Sequence, residues 1–400
     1  MRLVLSRNPD LAMAKAGQEA QKAELAASRK DLFPTLSASY AYTRQPAEAT
    51  YAIRVPENYY TYAFSVEQPV FKGRALVTTV EKNRLGLLAS EAGVAKSRND
   101  VILAVHDAYF SLLRAEKLAD ETRQAVARLE GHRRDAENFH KVGLISRNDL
   151  LANEVELAQG KQNALKAENL RRLAASRLNL LMKQPVDAPL ALEERQTIDA
   201  VAPQWEATLA TALANRPELR QARIEAESAD ADIVLARARF LPEISLVATY
   251  LKRGDSPEAD FYPIGPAEQS TAQAVARWRL WSWGQSLDKV EAARKRLSQF
   301  QERLNKLTDA VTLDVRQAFL NLEEARASIE VARAAVGQAE ENHRINQERY
   351  LAQVATNTEV LDSLTLLAQA RLNLFNAVYG HDLALSTLRW ASATLDNPTP

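Results

Sequence analysis

The chain has 400 residues, in which 51 Lys+Arg are balanced by 51 Asp+Glu, so no excess charge is available to hold phosphate backbones and nucleic-acid binding is excluded as a default. It has no cysteine, which rules out disulfides, thiolate metal sites and a lipid-modified cysteine within these residues. Charged residues make up 26% and alternate in sign along alanine-rich stretches, while Gly (12) and Pro (15) are scarce; this is the composition of long helices.

Met1-Arg2-Leu3-Val4-Leu5 runs directly into polar Ser6-Arg7-Asn8. That is not the charged-then-apolar pattern of a signal peptide, so either the protein is not exported or such a segment lies upstream. Asn8-Pro9-Asp10 then opens a helix, because proline at the first helical position loses nothing by lacking an amide hydrogen. Pro34 stops that helix, and the period changes from 3.6 to 2. Leu36, Ala38, Tyr40 and Tyr42 share one face, with Ser37, Ser39, Ala41 and Thr43 on the other. A second alternating run sets Tyr60, Tyr62, Phe64 and Val66 against Thr61, Ala63, Ser65 and Glu67, completing a predicted β-hairpin over 33–71 with a loop at 45–58.

From Gly73 the pattern is helical again over 74–141. A helix of roughly 65 residues at about 1.5 Å per residue is on the order of 100 Å long, far beyond a globular core. Val101, Val105, Ala108 or Tyr109, and Leu112 keep the 3–4 spacing of a coiled-coil seam. A break at Val142-Gly143-Leu144-Ile145-Ser146 leads into a return helix, 147–182, and a linker to 205.

The same order then repeats. Pro9-Asp10-Leu11 returns as Pro217-Glu218-Leu219, 208 residues on (217 − 9), and Asp149-Leu150-Leu151 as Glu359-Val360-Leu361, 210 residues on (359 − 149). The chain is a tandem duplication: repeat 1 covers 1–205, and repeat 2 covers 206–400 with a helix, a hairpin at 241–283, a long helix at 285–350 and a return helix at 357–391. The two copies are expected to form one intertwined structural domain. In the second hairpin Ile244, Leu246, Ala248 and Tyr250 alternate with Ser245, Val247 and Thr249. Across a loop at 253–270, Ala274, Ala276, Trp278 and Leu280 alternate with Val275, Arg277 and Arg279. Val311, Val315, Phe319 and Leu322 repeat the seam.

Four strands cannot close a membrane barrel, since the smallest have about eight, and an open sheet with one aromatic face exposes two edges. The chain is therefore expected to oligomerise. Strands of about 11–12 residues, tilted, span a bilayer. Tyr40, Tyr42, Tyr60, Tyr62, Tyr250, Trp278, Trp281 and Trp283 lie near their ends and suit an interfacial aromatic girdle. The polar face, with Ser37, Ser39, Glu67, Arg277 and Arg279, suits a wet lumen. No apolar run reaches the roughly 18 residues of a membrane-spanning helix. The competing account, a soluble β-layer on its own helices, leaves the length of the helices unexplained.

This arrangement resembles the outer-membrane efflux proteins, the TolC-like outer membrane factors, over essentially the whole chain. The likeness rests on the Asn-Pro-Asp and Arg-Pro-Glu helix starts, on Phe33-Pro34 and Leu241-Pro242 before the strands, and on Gln68-Pro69-Val70-Phe71-Lys72-Gly73 and Leu280-Trp281-Ser282-Trp283-Gly284 at the return to helix. The tip sequence Val142-Gly143-Leu144-Ile145-Ser146-Arg147-Asn148-Asp149-Leu150 completes it. Each motif is weak alone; their order, spacing and duplication carry the likeness.

The resemblance implies a mainly α chain with a transmembrane β part: a homotrimer whose four strands per chain form one twelve-stranded β-barrel in the outer membrane of a Gram-negative bacterium. Its coiled-coil helices would continue as an α-barrel into the periplasm. It implies a passive exit duct of a tripartite efflux or type I secretion system, working with a periplasmic adaptor (membrane fusion) protein and an inner-membrane pump. The family's constriction carboxylates fall on Glu359 and Asp362, and its closing link on Asp149 and Tyr350, a hydroxyl–carboxylate pair. Two departures weaken the match of the gate: Ala355 stands where the link's arginine is usual, and Gln353 where the second tip has glycine. Val142, Gly143 and Leu144 would form the adaptor-docking tip. The plain alternatives are a solvated helix face for Glu359 and Asp362, and an ordinary helix–helix turn for the tip.

His106, His132, His140, His343 and His381 have no metal-ligand spacing, and no phosphate loop or catalytic constellation is present. No cofactor and no enzymatic activity are expected. The alternative function, from a different class, is a soluble periplasmic coiled-coil adaptor or structural protein.

Overall fold

The computed structural model describes residues 1–45, 49–50, 53–54, 57–190, 192, 204–262 and 265–395. Its elements are α1 (Arg2–Arg7), α2 (Pro9–Lys30), β1 (Thr35–Arg44), β2 (Ala49–Thr50), β3 (Ile53–Arg54), β4 (Asn58–Lys72), α3 (Ala75–Lys141), α4 (Arg147–Leu181), α5 (Trp205–Asn215), α6 (Pro217–Ala238), β5 (Glu243–Gly254), β6 (Glu268–Arg277), α7 (Gln285–Leu351) and α8 (Asn357–Ala391). Corresponding helices of the two halves have equal lengths: 22 residues for α2 and α6, 67 for α3 and α7, 35 for α4 and α8. Most of the linker before 205 lies outside the described residues.

The chain folds into two compact units, each drawing segments from both halves of the sequence. The first comprises Lys15–Gly93 and Arg220–Lys306 and holds the sheet. Its strands run antiparallel in the order β1-β4-β5-β6. The central pairing, β4 with β5, joins one half of the sequence to the other, setting Phe64 opposite Tyr250 and Val66 opposite Ala248. In β1 and β4, Leu36 faces Val66, Ala38 faces Phe64, Tyr40 faces Tyr62 and Tyr42 faces Tyr60. One face thus gathers the apolar and aromatic side chains of β1, β4 and β5, as the alternation predicts, and Ala272, Ala274 and Ala276 of β6 continue it. A bulge between Pro69 and Phe71 lets β4 run 15 residues despite a proline that cannot donate to the ladder. The outer edges of β1 and β6 have no further partner among the described residues.

One strand ends earlier than its alternation suggests. Trp278 and Leu280 are not in β6, which stops at Arg277. The Trp278 indole N–H donates to the Phe240 carbonyl at 3.0 Å, and the chain then turns into α7 through two consecutive left-handed residues, Trp283 (φ 51°) and Gly284 (φ 83°). The first half makes the same turn with Gly73 (φ 59°) and Arg74 (φ 71°). Gly73 also lies under α6, where an added Cβ would come within 2.7 Å of the Ala238 carbonyl oxygen. α6 and α7 pack through Ile233, Val290 and Ala293 and share the ion pair Arg303–Glu225 at 3.2 Å, while Lys82 of α3 pairs with Asp232 of α6 at 2.5 Å.

The second unit comprises Met1–Ala14, Val94–Leu219 and Leu307–Pro400. The expected seams are buried at Val101, Val105 and Leu112 and at Val311, Val315 and Leu322. α1, which the sequence pattern does not announce, packs Val4 and Leu5 against Val101, Val105, Leu181 and Met182. Asn8 separates it from α2, and its side-chain oxygen accepts from the amides of Asp10 (2.8 Å) and Leu11 (3.2 Å), the usual work of an N-cap. Arg216, 3% exposed, holds the next junction: it donates to the Ala391 carbonyl at 2.9 Å, pairs with Glu218 and Asp314, and stacks 4.3 Å from the Trp390 ring centroid.

Candidate functional site

The two helix-to-helix tips of the second unit are built alike. At the end of α3, Gly143 donates its amide to the His140 carbonyl (3.0 Å) and Leu144 to the Phe139 carbonyl (2.9 Å). This paired closure requires a left-handed residue at its centre, and Gly143 has φ +76°. Val142 and Leu144 flank it, 70% and 56% exposed. At the end of α7, Gln353 donates to the Tyr350 carbonyl (3.0 Å) and Val354 to the Arg349 carbonyl (2.9 Å), with Gln353 itself at φ +62°.

The helix that follows each tip starts with a reciprocal cap. The Ser146 hydroxyl accepts from the Asp149 amide, while the Ser146 amide and hydroxyl donate to the Asp149 carboxylate at 3.2 and 2.7 Å. Thr356 and Glu359 repeat the arrangement, the Thr356 amide donating to Glu359 at 2.6 Å. Two of the predicted gate carboxylates thus close helix termini. The Thr356 amide and hydroxyl hold the Glu359 carboxyl below its ordinary pKa, with Arg349, 3.7 Å away, acting in the same direction. Asp362 lies one turn further along α8 and is exposed.

The anticipated hydrogen bond between Tyr350 and Asp149 is absent. Tyr350 is 3% exposed, in a cluster with Leu129, Leu157, Val360 and Leu364, and its hydroxyl has no partner. The Asp149 carboxylate is taken up by Ser146, while its charge and, above all, burial raise the Tyr350 pKa. The tie between α3, α4 and α8 is made instead by residues the sequence does not single out. Asn357, at the start of α8, accepts from the Asn153 side chain at 2.8 Å and shares a 2.8 Å hydrogen bond with His132 Nε2. Its own amide group reaches the Asp149 carbonyl at 3.4 Å. His132, Asn153 and Asn357 are all buried, and burial pushes the His132 pKa down, with the Asn357 contact opposing it. No spacing in the sequence marks this knot, because its members come from three helices.

In the sheet unit the predicted aromatic residues fall into two groups. Tyr40, Tyr42, Tyr60 and Tyr62 form a contiguous stack, with centroids 4.8 Å apart for Tyr40–Tyr62 and 5.1 Å for Tyr42–Tyr60. Tyr250 lies on the same face of the sheet. Trp278, Trp281 and Trp283 are not on a strand but in the strand-to-helix turn, 60%, 72% and 89% exposed. Among the described residues no helix is long and apolar enough to cross a membrane, and no group of three His, Cys, Asp or Glu is placed to hold a metal.

Comparison with known proteins gives the arrangement its context. The family model for outer membrane efflux proteins matches residues 1–182 and 208–394. The chain is 24% identical over 408 residues to the alkaline protease secretion protein AprF of Pseudomonas aeruginosa, covering 98% of this chain and 83% of that one. It is 24% identical over 414 residues to the outer membrane protein TolC of Escherichia coli, covering 97% and 80%. Its fold superposes on the CmeC outer membrane channel of Campylobacter jejuni with a TM-score of 0.84 at 17% identity, covering 98% and 84%. A match across both halves, on a mainly helical chain with a four-stranded antiparallel sheet, identifies the chain as a member of the outer membrane efflux protein family, a passive outer-membrane channel and not an enzyme.

Proposed function

We propose that the chain is the exit duct of a tripartite efflux or type I secretion system, working as a homotrimer with a periplasmic adaptor and an inner-membrane pump. The observation that carries this is the sheet of four strands with one apolar face and two unpaired edges. Three copies joined β6 to β1 would leave no edge and make a twelve-stranded barrel, which a membrane demands. The helices carry matching unsatisfied surface: Val155, Leu165 and Leu180 on α4, and Leu313 and Val331 on α7, are more than half exposed.

In this proposal Tyr40, Tyr42, Tyr60, Tyr62 and Tyr250 face lipid with Trp278, Trp281 and Trp283 at one rim, and Val142, Gly143 and Leu144 dock the adaptor. Glu359 and Asp362 line the constriction, while Asp149 and Tyr350 belong to the wall that must move when it opens. Three copies of the two carboxylates form acidic rings that attract cations. The test is single-channel conductance in a planar bilayer with Glu359→Gln and Asp362→Asn together. Glutamine at this position still completes the helix cap, so the exchange removes charge and leaves the turn. Block by divalent cations should weaken about tenfold or more, as the loss of converging charges implies. Unchanged block would remove the two carboxylates from the constriction, and a water-soluble chain that never inserts would overturn the duct itself.

A further inference from the structure

The four junctions between strands and helices carry a local excess of positive charge. Counting the adjoining helix turns and leaving out the strands, they hold Arg29, Lys30, Arg74, Arg237, Arg239 and Arg279 against two carboxylates, Asp31 and Asp288. All six cations except Arg74 sit within five residues of a proline or a tryptophan of the same segment, and all six are exposed. Among the described residues none of the six has an ion-pair partner; elsewhere in the unit Lys82, Arg84 and Arg303 reach carboxylates, while Lys289, Arg294 and Arg296 on α7 do not. Lys72 and Arg277 are a different case: they lie on the polar face of the sheet with Glu243 between them in register.

The same segments expose large apolar side chains. Phe33, Trp281 and Trp283 are 65%, 72% and 89% exposed, and Phe240 lies beside Arg239. The other end of the sheet is the reverse. Its two loops, 44–58 and 252–268, hold four cations against six carboxylates, and Arg44–Glu57 and Lys252–Asp260 pair at 3.1 Å.

Exposed cations left without counter-charge, interleaved with exposed aromatic rings, fit a surface that is itself anionic and apolar. We infer that this junction binds anionic phospholipids of the leaflet it meets, the arginine and lysine side chains taking headgroup phosphates while the aromatic rings enter the acyl boundary. The inference rests on the outer-membrane placement and adds a lipid preference to it. Electrostatic attraction of this kind is local and falls off within a Debye length, so it acts on the lipids in contact with the rim and leaves the lumen untouched.

The test uses the full chain reconstituted in phosphatidylcholine vesicles that contain brominated phosphatidylglycerol or brominated phosphatidylcholine at equal mole fraction. Trp278, Trp281 and Trp283 report by fluorescence quenching, and Trp205 and Trp390 are common to every sample. At low salt the anionic lipid should quench at least about twofold more than the zwitterionic one, and high salt should remove the difference. Arg29→Gln, Lys30→Gln, Arg237→Gln and Arg239→Gln together should bring the ratio most of the way to unity with quenching by phosphatidylcholine unchanged. Arg74→Gln with Arg279→Gln, a smaller change kept in case the fourfold variant fails to assemble, should lower the ratio part of the way. Equal quenching by the two lipids in the unaltered chain overturns the inference, as does a ratio that survives both sets of substitutions. Quenching by neither lipid would overturn the membrane placement on which it rests.

Discussion

The two tips of the helical unit share a backbone and differ in what holds it. Both close with the same pair of amide–carbonyl hydrogen bonds and both start the next helix with a reciprocal cap. The first, however, has glycine at its left-handed position and an exposed Arg147 at the start of α4, while the second has Gln353 and a buried Asn357. Local hydrogen bonding is thus sufficient to specify the turn, and glycine only removes its cost. The second tip accepts that cost and is tied into the body of the unit by side chains the first tip lacks.

The largest effect should come from cutting that tie. Asn357→Ala leaves His132 Nε2 buried without its partner and should cost about 2–3 kcal/mol, whereas Arg147→Ala at the corresponding position of the first tip should change stability by less than about 0.5 kcal/mol. Melting temperatures of the detergent-purified protein compare the two, and equal shifts would erase the distinction between the tips.

Next in size are the turn residues themselves. Gly143→Ala should destabilise by about 1 kcal/mol, and Gln353→Gly should stabilise by about 0.5–1 kcal/mol, because only a residue with a Cβ is penalised at positive φ. The same melts read both, and a stabilising Gly143→Ala would contradict the left-handed geometry.

Acid should loosen the second tip first. The His132 pKa is depressed below 6.5 by burial, so between the two values the unfolded chain binds more protons and stability falls as pH drops below about 6.5. His343, also depressed by burial, has the same sign. The lowered Glu359 pKa gives stability that is complete above 4.5 and is lost only as pH falls through the lower folded value. His132→Gln should therefore flatten part of the decline in melting temperature between about pH 7 and pH 5, and an undiminished decline would assign it to other groups.

The smallest effect belongs to Tyr350. Its hydroxyl is buried without a partner, so Tyr350→Phe should be neutral or stabilising by up to about 1 kcal/mol. A clear loss of stability would restore the hydroxyl–carboxylate link that the family resemblance suggests.

The sequence was legible where one element alone decides the outcome. The alternation in 35–43 and 244–250 placed residues on the correct faces of the sheet, and Gly143 marked its turn. Trp278 and Leu280 continued an alternating pattern past the end of β6 because periodicity does not register an indole that caps a neighbouring carbonyl. The family resemblance makes Asp149 and Glu359 gate residues, yet Ser146-x-x-Asp149 and Thr356-x-x-Glu359 also spell the signature of a helix cap. The knot of His132, Asn153 and Asn357 had no signal at all, since three helices must pack before its members meet.

The unpaired edges of β1 and β6 carry a genetic consequence. Where copies of the chain close one another's sheets, a chain damaged only in β6 still offers a sound β1 to its neighbour and takes a place in the ring. One such copy would leave an open seam in a wall otherwise made of intact chains. Alleles altered at a single edge should then be dominant over the unaltered gene, and alleles that destroy both edges recessive.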